Sequence, residues 1–247
     1  MSDMPQPNIA LSLKAIHHGL TRALTVAAER SQAYAGGGFP DEATRDGFAT
    51  YARCLVTALR AHHRSEDEVA FPFIRDKLSQ MPFDRLSAEH QAIEPRLSSI
   101  EAALDRMAAG AAAAGPLRST LCLRTGQAAS FAVGDLQAAV GRILDLWHPH
   151  IRIEETHVNP EAAARVMPPE ERLRLRSAAS FAVGGLLSQF NQQHSQPDYL
   201  MVPFTLFNLR PQERAMMAQA FPPIVIQQLV PMAWKEKWAP IEPFLLP

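Results

Sequence analysis

Apolar residues recur at intervals of three and four positions through much of the chain between residues 13 and 153. The spacing holds in four segments: Leu13, Ile16, Leu20 and Leu24; Leu55, Leu59 and Val69; Leu86, Ile93, Leu97, Ile100 and Leu104; and Val140, Ile143, Leu146 and Ile153. Such spacing places apolar side chains on one face of a helix. Runs that alternate apolar and polar residues, as strands do, are nearly absent. The pattern predicts four long helices around one core.

Short breaks separate these helices, and each is rich in Gly and Ala or contains Pro: AGGGFPDE at 35–42, KLSQMPFD at 77–84 and GAAAAGP at 110–116. Asp41 and Asp84 stand at the ends of two breaks, where N-cap residues are expected. Helices joined by short connections pack as antiparallel neighbours. The predicted fold class is therefore all-α, an up-and-down four-helix bundle.

The composition changes near residue 168. Pro168 and Pro169 begin a further helical stretch, and prolines then recur from Pro197 to Pro247, with Trp234 and Trp238 among them. This part is too apolar for a free linker. We expect residues 1–167 to form the bundle, and residues 168–247 to form an α-helical, Pro-rich extension that packs on the bundle and covers one end.

Composition and charge exclude several classes of function. The 247 residues carry 24 Lys and Arg against 25 Asp and Glu, and this balance gives no electrostatic case for nucleic acid or an anionic membrane. No apolar run reaches the roughly 18 residues of a membrane span. The first residues, MSDMPQPNIALSLK, lack a signal-peptide pattern, and Cys54 and Cys122 are too few for a disulfide framework. We expect a cytoplasmic protein with buried thiols.

The chain has nine histidines, and each predicted helix has one on its apolar face. These four are His17, His62, His90 and His150. Glu66 follows His62 by four positions, and Glu154 stands in the same relation to His150. Residues four apart lie on one face of a helix, so each carboxylate accompanies a histidine into the core. Because a buried carboxylate is costly without a compensating charge, a metal centre is the economical explanation.

Six side chains exceed the needs of one zinc ion and suit two metals, with Glu66 and Glu154 as bridges. Imidazole and carboxylate together favour iron, and they leave zinc and manganese open. A ferritin-like centre is the lesser alternative, because it uses GluxxHis pairs. That spacing occurs once here, from Glu154 to His157.

The order His, HisxxxGlu, His, HisxxxGlu resembles the hemerythrin-like (HHE) cation-binding domain over residues 8–165. IHHGLTRAL (16–24) is similar to the first-helix motif of that family, AHHRSEDEVAFP (61–72) to the second, SAEHQAI (87–93) to the third, and HIRIEETHVNP (150–160) to the fourth. The resemblance implies a di-iron centre that binds, stores or senses oxygen. Carried over by position, it implies the ligands His17, His62, Glu66, His90, His150 and Glu154.

Other polar residues near these motifs are expected outside the ligand set. One residue turns a helix by about 100°, which moves His18 and His63 off the core face. His18, His63, Asp67 and Glu89 are expected either to support ligands or to face solvent, with solvent favoured for His18. Pro95 and Pro149 lie inside predicted helices, where Pro removes a backbone hydrogen bond and kinks the helix.

Three further residues are secondary candidates. His157 follows His150 by seven positions and is expected as a polar plug one turn from the site, with an extra ligand as the alternative. His194 and Tyr199 belong to the extension and are candidates to approach the metals. His148 lies two positions before His150 and is expected to point elsewhere.

Three functions are compatible with this centre. The first is a di-iron protein that binds or senses dioxygen, peroxide or nitric oxide, and open coordination positions on iron would permit this. The second is a di-iron enzyme with peroxidase-like, catalase-like or nitric-oxide-reducing activity. The third is an interaction protein in which the metals stabilise the bundle and the extension binds a partner. The sequence leaves the oligomeric state open.

Overall fold

The computed structural model describes residues 9–113, 122–162 and 196–247. Its first part contains α1 (Ile9–Gly37), α2 (Glu42–Ser65), a π-helical turn (Glu66–Ala70), α3 (Phe71–Ile74), α4 (Phe83–Ala113) and α5 (Cys122–His157). The described part of the extension contains α6 (Asp198–Phe207), α7 (Pro211–Ala218), a π-helix (Val225–Ala233) and two short helical turns (Lys235–Trp238 and Ala239–Phe244).

The four long helices form a closed bundle. Helix α5 packs against both α4 and α1, and α2 packs against the same two helices. The predicted apolar faces meet in the centre, where Leu24, Leu55, Leu97 and Ile143 have no exposed surface. The predicted all-α, up-and-down four-helix bundle is confirmed, and no helix of the described residues is long and apolar enough to cross a membrane.

Local signals set most helix ends. Asp41 caps α2, because its side chain accepts a hydrogen bond of 2.6 Å from the backbone N–H of Thr44. The same prediction for Asp84 is wrong: α4 begins one residue earlier, at Phe83, and Asp84 lies in its first turn. Helix α4 also continues to Ala113, into the third predicted break, while residues 114–121 lie outside the described part.

A π-helical turn changes the register directly after α2. The wider turn over Glu66–Ala70 rotates the residues that follow it, so Val69 is only partly buried and does not continue the stripe of Leu55 and Leu59. Phe71 and Ile74 occupy the buried face instead. The prediction that Val69 belongs to this stripe is therefore wrong. Such turns are frequent at functional sites, and this one begins at a predicted ligand.

The described extension packs on α1 and α2, while the predicted boundary at 167/168 lies outside the described residues. The last helical turn of the extension sits so close to α2 that a Cβ atom on Gly47 would lie 2.2 Å from the carbonyl oxygen of Pro240. Trp238 is buried and donates a 2.9 Å hydrogen bond from Nε1 to the carbonyl of Val230. Glycine at position 47 thus permits close docking of the chain's C-terminal segment.

A buried hydrogen-bond cluster fixes α6 to the bundle, and we call Arg22, Tyr51 and Asn208 the docking cluster. The Tyr51 hydroxyl and the Arg22 guanidinium both donate to Oδ1 of Asn208. Nδ2 of Asn208 donates to the carbonyl of Phe204 at 2.8 Å, and Arg22 also donates to the carbonyl of Phe244 at 3.0 Å. Burial raises the pKa of Tyr51, so its hydroxyl stays protonated and able to donate.

Candidate metal centre

Six predicted ligand side chains meet in one place inside the bundle. Helix α1 supplies His17, the end of α2 supplies His62, the π-helical turn supplies Glu66, α4 supplies His90, and α5 supplies His150 and Glu154. All six are buried, with exposed fractions from 0% to 7%. A polar cluster of this size at the centre of an apolar core requires compensation for the lost contact with water.

The six side chains divide into two overlapping groups. His17 and His62 form one group with Glu66 and Glu154, and we call it the first metal position. His90 and His150 form the other with the same two glutamates, and we call it the second metal position. Within each group the four candidate ligand atoms all lie within 4.8 Å of one another. Only the two carboxylates belong to both.

Each carboxylate places one oxygen beside each position. Glu66 Oε1 lies 3.4 Å from Nε2 of His62, and its Oε2 lies 3.4 Å from Nε2 of His90. Glu154 Oε1 lies 3.4 Å from Nε2 of His150, and its Oε2 lies 3.1 Å from Nε2 of His17. This is the arrangement that two bridging carboxylates between two metal ions require.

Carboxylates outside the cluster orient three of the histidines. Nδ1 of His17 contacts Glu155 at 3.1 Å, Nδ1 of His90 contacts Asp67 at 3.0 Å, and Nδ1 of His150 contacts Glu89 at 3.0 Å. An ionised carboxylate only accepts hydrogen bonds, so each Nδ1 carries the proton and donates it. In a neutral imidazole the Nε2 atom then presents a lone pair to the centre, as a metal ligand must.

The lone pairs in the centre face one another. Nε2 of His90 and Nε2 of His150 are only 3.0 Å apart, although neither carries a proton when its ring is neutral. Nε2 of His17 and of His62, and all four oxygens of Glu66 and Glu154, are buried without a hydrogen bond of acceptable geometry. Such an arrangement is unfavourable unless a cation lies between the atoms.

Burial and neighbouring charges shift the pKa values of this cluster in different directions. Burial opposes protonation of His17 and His150, but their contacts with Glu154 outweigh it and raise the pKa of both. Burial, together with the charge of Glu154, raises the pKa of Glu66 well above its usual value. Burial also opposes ionisation of Glu154, but its contacts with His150 and His17 outweigh burial and lower its pKa. Burial lowers the pKa of His62 well below 6.5, so this ring is neutral. A bound cation would favour the ionised form of both carboxylates.

The residues fit metal ions in number and in kind. Four imidazoles and two carboxylates are the donor set that iron, manganese and zinc accept. Three of the four imidazoles already have the outer carboxylate that fixes a ligand's orientation and increases its basicity. Of the eight buried side-chain atoms without a hydrogen bond among the described residues, six belong to His17, His62, Glu66 and Glu154 and would contact the ions.

A family comparison agrees with this geometry. The model of the hemerythrin HHE cation binding domain matches residues 9–162. The chain belongs to this family. Comparisons with curated proteins and with solved structures gave no significant match. The HHE domain spans the bundle, and the extension described from residue 196 onward lies outside the match.

The secondary candidates that the structure describes lie away from the centre. His157 is partly buried, and its Nδ1 donates to the carbonyl of Ile153 at 2.8 Å, so it serves its own helix. His148 is exposed, as expected. Tyr199 packs at the edge of the apolar core, with the Lys237 ammonium over its ring. His18 contacts Glu213 of the extension at 2.5 Å, and His194 lies outside the described residues.

Two further residues touch the centre, and sequence reasoning missed the first of them. Trp147 is fully buried, and its ring lies 5.7 Å from those of His17 and His62. Its spacing was a usable signal, since it stands three positions before His150. His63 was expected either to support ligands or to face solvent, and it does not face solvent: it is 6% exposed and stacks on His90 with ring centroids 4.2 Å apart. His63 lies within α2 and is turned about 100° from His62, and it is buried because that direction faces His90 of α4.

Proposed function

We propose that this HHE domain is a non-haem di-iron protein that binds or senses dioxygen or a related small oxidant such as peroxide or nitric oxide. The observation that carries the proposal is the sharing of Glu66 and Glu154 between two histidine pairs, one carboxylate oxygen facing each pair. Iron bound there would supply redox chemistry toward small oxidants, which the protein's own side chains lack.

The number of protein donors at each metal position supports the choice of a small ligand, because a bound iron ion would have coordination positions left free. Each position has four protein donors, two imidazoles and two shared carboxylates. Iron sites in proteins commonly keep positions free for a small molecule beyond their protein ligands. The surroundings suit a small and weakly polar ligand, since the indole of Trp147 lies against three of the histidines.

Charge supports iron in a redox role. Glu66 and Glu154 supply negative charge directly, and Asp67, Glu89 and Glu155 add three carboxylates one layer outside. Five carboxylates around two metal ions favour higher positive charge on the metals, which stabilises an oxidised pair. A purely structural zinc site has no such need, because zinc does not change its oxidation state.

Metal stoichiometry and absorption test the proposal. Protein reconstituted with ferrous iron without air should hold about two ions per chain, and exposure to air should produce ferric absorption bands. His62→Ala should remove the ion of the first position and His150→Ala that of the second, each leaving about one ion. His148→Ala is the matched control, because this exposed histidine is two residues from His150.

The outcomes separate the alternatives. Failure to bind iron, or binding with no spectral response to oxygen, peroxide or nitric oxide, would overturn the proposed function. Turnover of peroxide or reduction of nitric oxide faster than that by free iron would make the protein an enzyme at the same centre. Full iron content in both alanine variants would show that these histidines are not ligands.

A further inference from the structure

His63 is a fifth buried histidine beside the centre, and its Nε2 atom has no hydrogen-bond partner. One of its ring nitrogens lies within 4.8 Å of the ligand nitrogens of His90 and His150. A polar atom that is buried without a partner costs free energy, so its retention in a core position requires an explanation. The metal pair does not need it as a bridge, because Glu66 and Glu154 already serve both positions.

Ring geometry argues against His63 as a ligand of the same ion as His90. The two rings are nearly parallel, with an interplanar angle of 14° and centroids 4.2 Å apart. The lone pair of an imidazole nitrogen lies in the plane of its ring. Two rings stacked in this way therefore cannot both direct a lone pair at one ion. His90 is already oriented for the metal by Asp67, which leaves His63 alongside the metal position.

His63 also lies on a route from solvent. A surface groove of about 520 Å³ is lined by both His63 and His90, together with Arg60, Arg64, Asp67 and Glu94. Arg60 is held by Glu94 and Glu101, and Arg64 by Glu68, so the walls are ordered by ion pairs. A small molecule in this groove would contact the side chains of both His63 and His90.

We propose that His63 hydrogen-bonds, through Nε2, a small anion or polar molecule bound at the second metal position. This inference rests on the proposed function, since it requires a metal there. A neutral imidazole has one donor and one acceptor nitrogen, which suits either a protonated or an unprotonated ligand.

Azide is the probe, because it is a small anion with hydrogen-bond acceptors that binds ferric iron and can be titrated by absorption. His63→Phe keeps a ring for stacking on His90 and removes the polar nitrogens. We expect it to retain both irons and to raise the dissociation constant for azide roughly 10-fold, as the loss of one hydrogen bond to a charged ligand predicts. His63→Gln restores a donor and an acceptor and should bind azide within about threefold of the unmodified protein.

The matched control is His148→Phe, which places the same ring on an exposed position of α5 and should leave azide binding unchanged. Unchanged azide affinity in His63→Phe with two irons bound would overturn the inference, and so would equal weakening in the Phe and Gln variants. Loss of one iron in both variants would show that His63 is a ligand and would overturn it as well. An unmodified protein that binds no iron would overturn the proposed function itself, and this inference with it.

Discussion

Two buried polar clusters among the described residues differ in how they replace the hydrogen bonds to water that burial removes. In the docking cluster, Asn208 accepts hydrogen bonds from Arg22 and Tyr51 and donates one to the carbonyl of Phe204. In the metal centre, Glu66 and Glu154 leave all four carboxylate oxygens without a hydrogen bond. The first cluster is complete with protein atoms alone, while the second leaves buried acceptor atoms that bound cations would satisfy.

The contrast teaches how to separate structural from functional polar residues in a core. Burial alone does not, because Asn208 and Glu66 are both 3% exposed. Hydrogen bonding does separate them. A buried polar residue kept for stability makes its hydrogen bonds within the fold, as Asn208 does. A residue kept for a ligand has donor or acceptor atoms that point toward the ligand, as Glu66 has. This criterion predicts opposite responses to mutation, and each can be measured.

The largest effect is expected from removing a shared carboxylate. Glu154→Gln keeps the side chain's size but removes its charge from both metal positions. We expect bound iron to fall from about two ions per chain to well below one, because each ion loses an anionic ligand. Metal analysis after reconstitution and desalting measures this. A variant that still holds two ions would show that Glu154 does not bridge.

The neighbouring residue supplies the matched control. Glu155→Gln removes the same charge one position along α5, where the carboxylate contacts Nδ1 of His17 and no ligand atom of the centre. Such outer partners typically contribute 10–100-fold in metal affinity. We therefore expect Glu155→Gln to retain both ions under saturating iron and to lose them more readily to a chelator.

The sequence predicted the ligand-bearing part of the fold because helix periodicity and the metal ligands obey the same spacing. His150 lies on the same helix face as Leu146 and Ile143, and Glu154 follows His150 by about one turn. The pattern that predicts the helix therefore also predicts the candidate ligand pair. It failed where the helix is irregular. The π-helical turn after Ser65 places Val69 off the core face.

The docking cluster could not be predicted from the sequence at all. Arg22, Tyr51 and Asn208 come from three elements, and hydrogen bonds between side chains far apart in the chain have no periodic signature. The outer carboxylates show the same limit. Asp67 and Glu89 were candidates for this role, but only the packing of α4 against α2 and α5 decides which histidine each one supports.

The next largest effect is expected in the docking cluster. Asn208→Ala removes the acceptor that Arg22 and Tyr51 share, and leaves the buried hydroxyl of Tyr51 without this partner. We expect the free energy of unfolding of the metal-free protein to fall by about 1–3 kcal/mol, measured by urea denaturation. Gln228→Ala, at an exposed position of the extension, is the control. If Asn208→Ala costs no more than the control, the cluster does not stabilise docking of the extension.

The smallest effect on stability is expected from replacing His62, whose Nε2 atom makes no hydrogen bond within the protein. His62→Leu replaces a neutral buried ring with unpartnered Nε2 by an apolar side chain, so no protein hydrogen bond through that atom is lost. We expect the free energy of unfolding of the metal-free protein to change by less than about 1 kcal/mol, because an apolar replacement of an unsatisfied polar group is close to neutral. Leu59→Ala, on the same face of α2, should cost about 2–5 kcal/mol in the same experiment. Destabilisation by His62→Leu on the scale of Leu59→Ala would mean that the protein alone satisfies this histidine, and the distinction between the two clusters would fail at this residue.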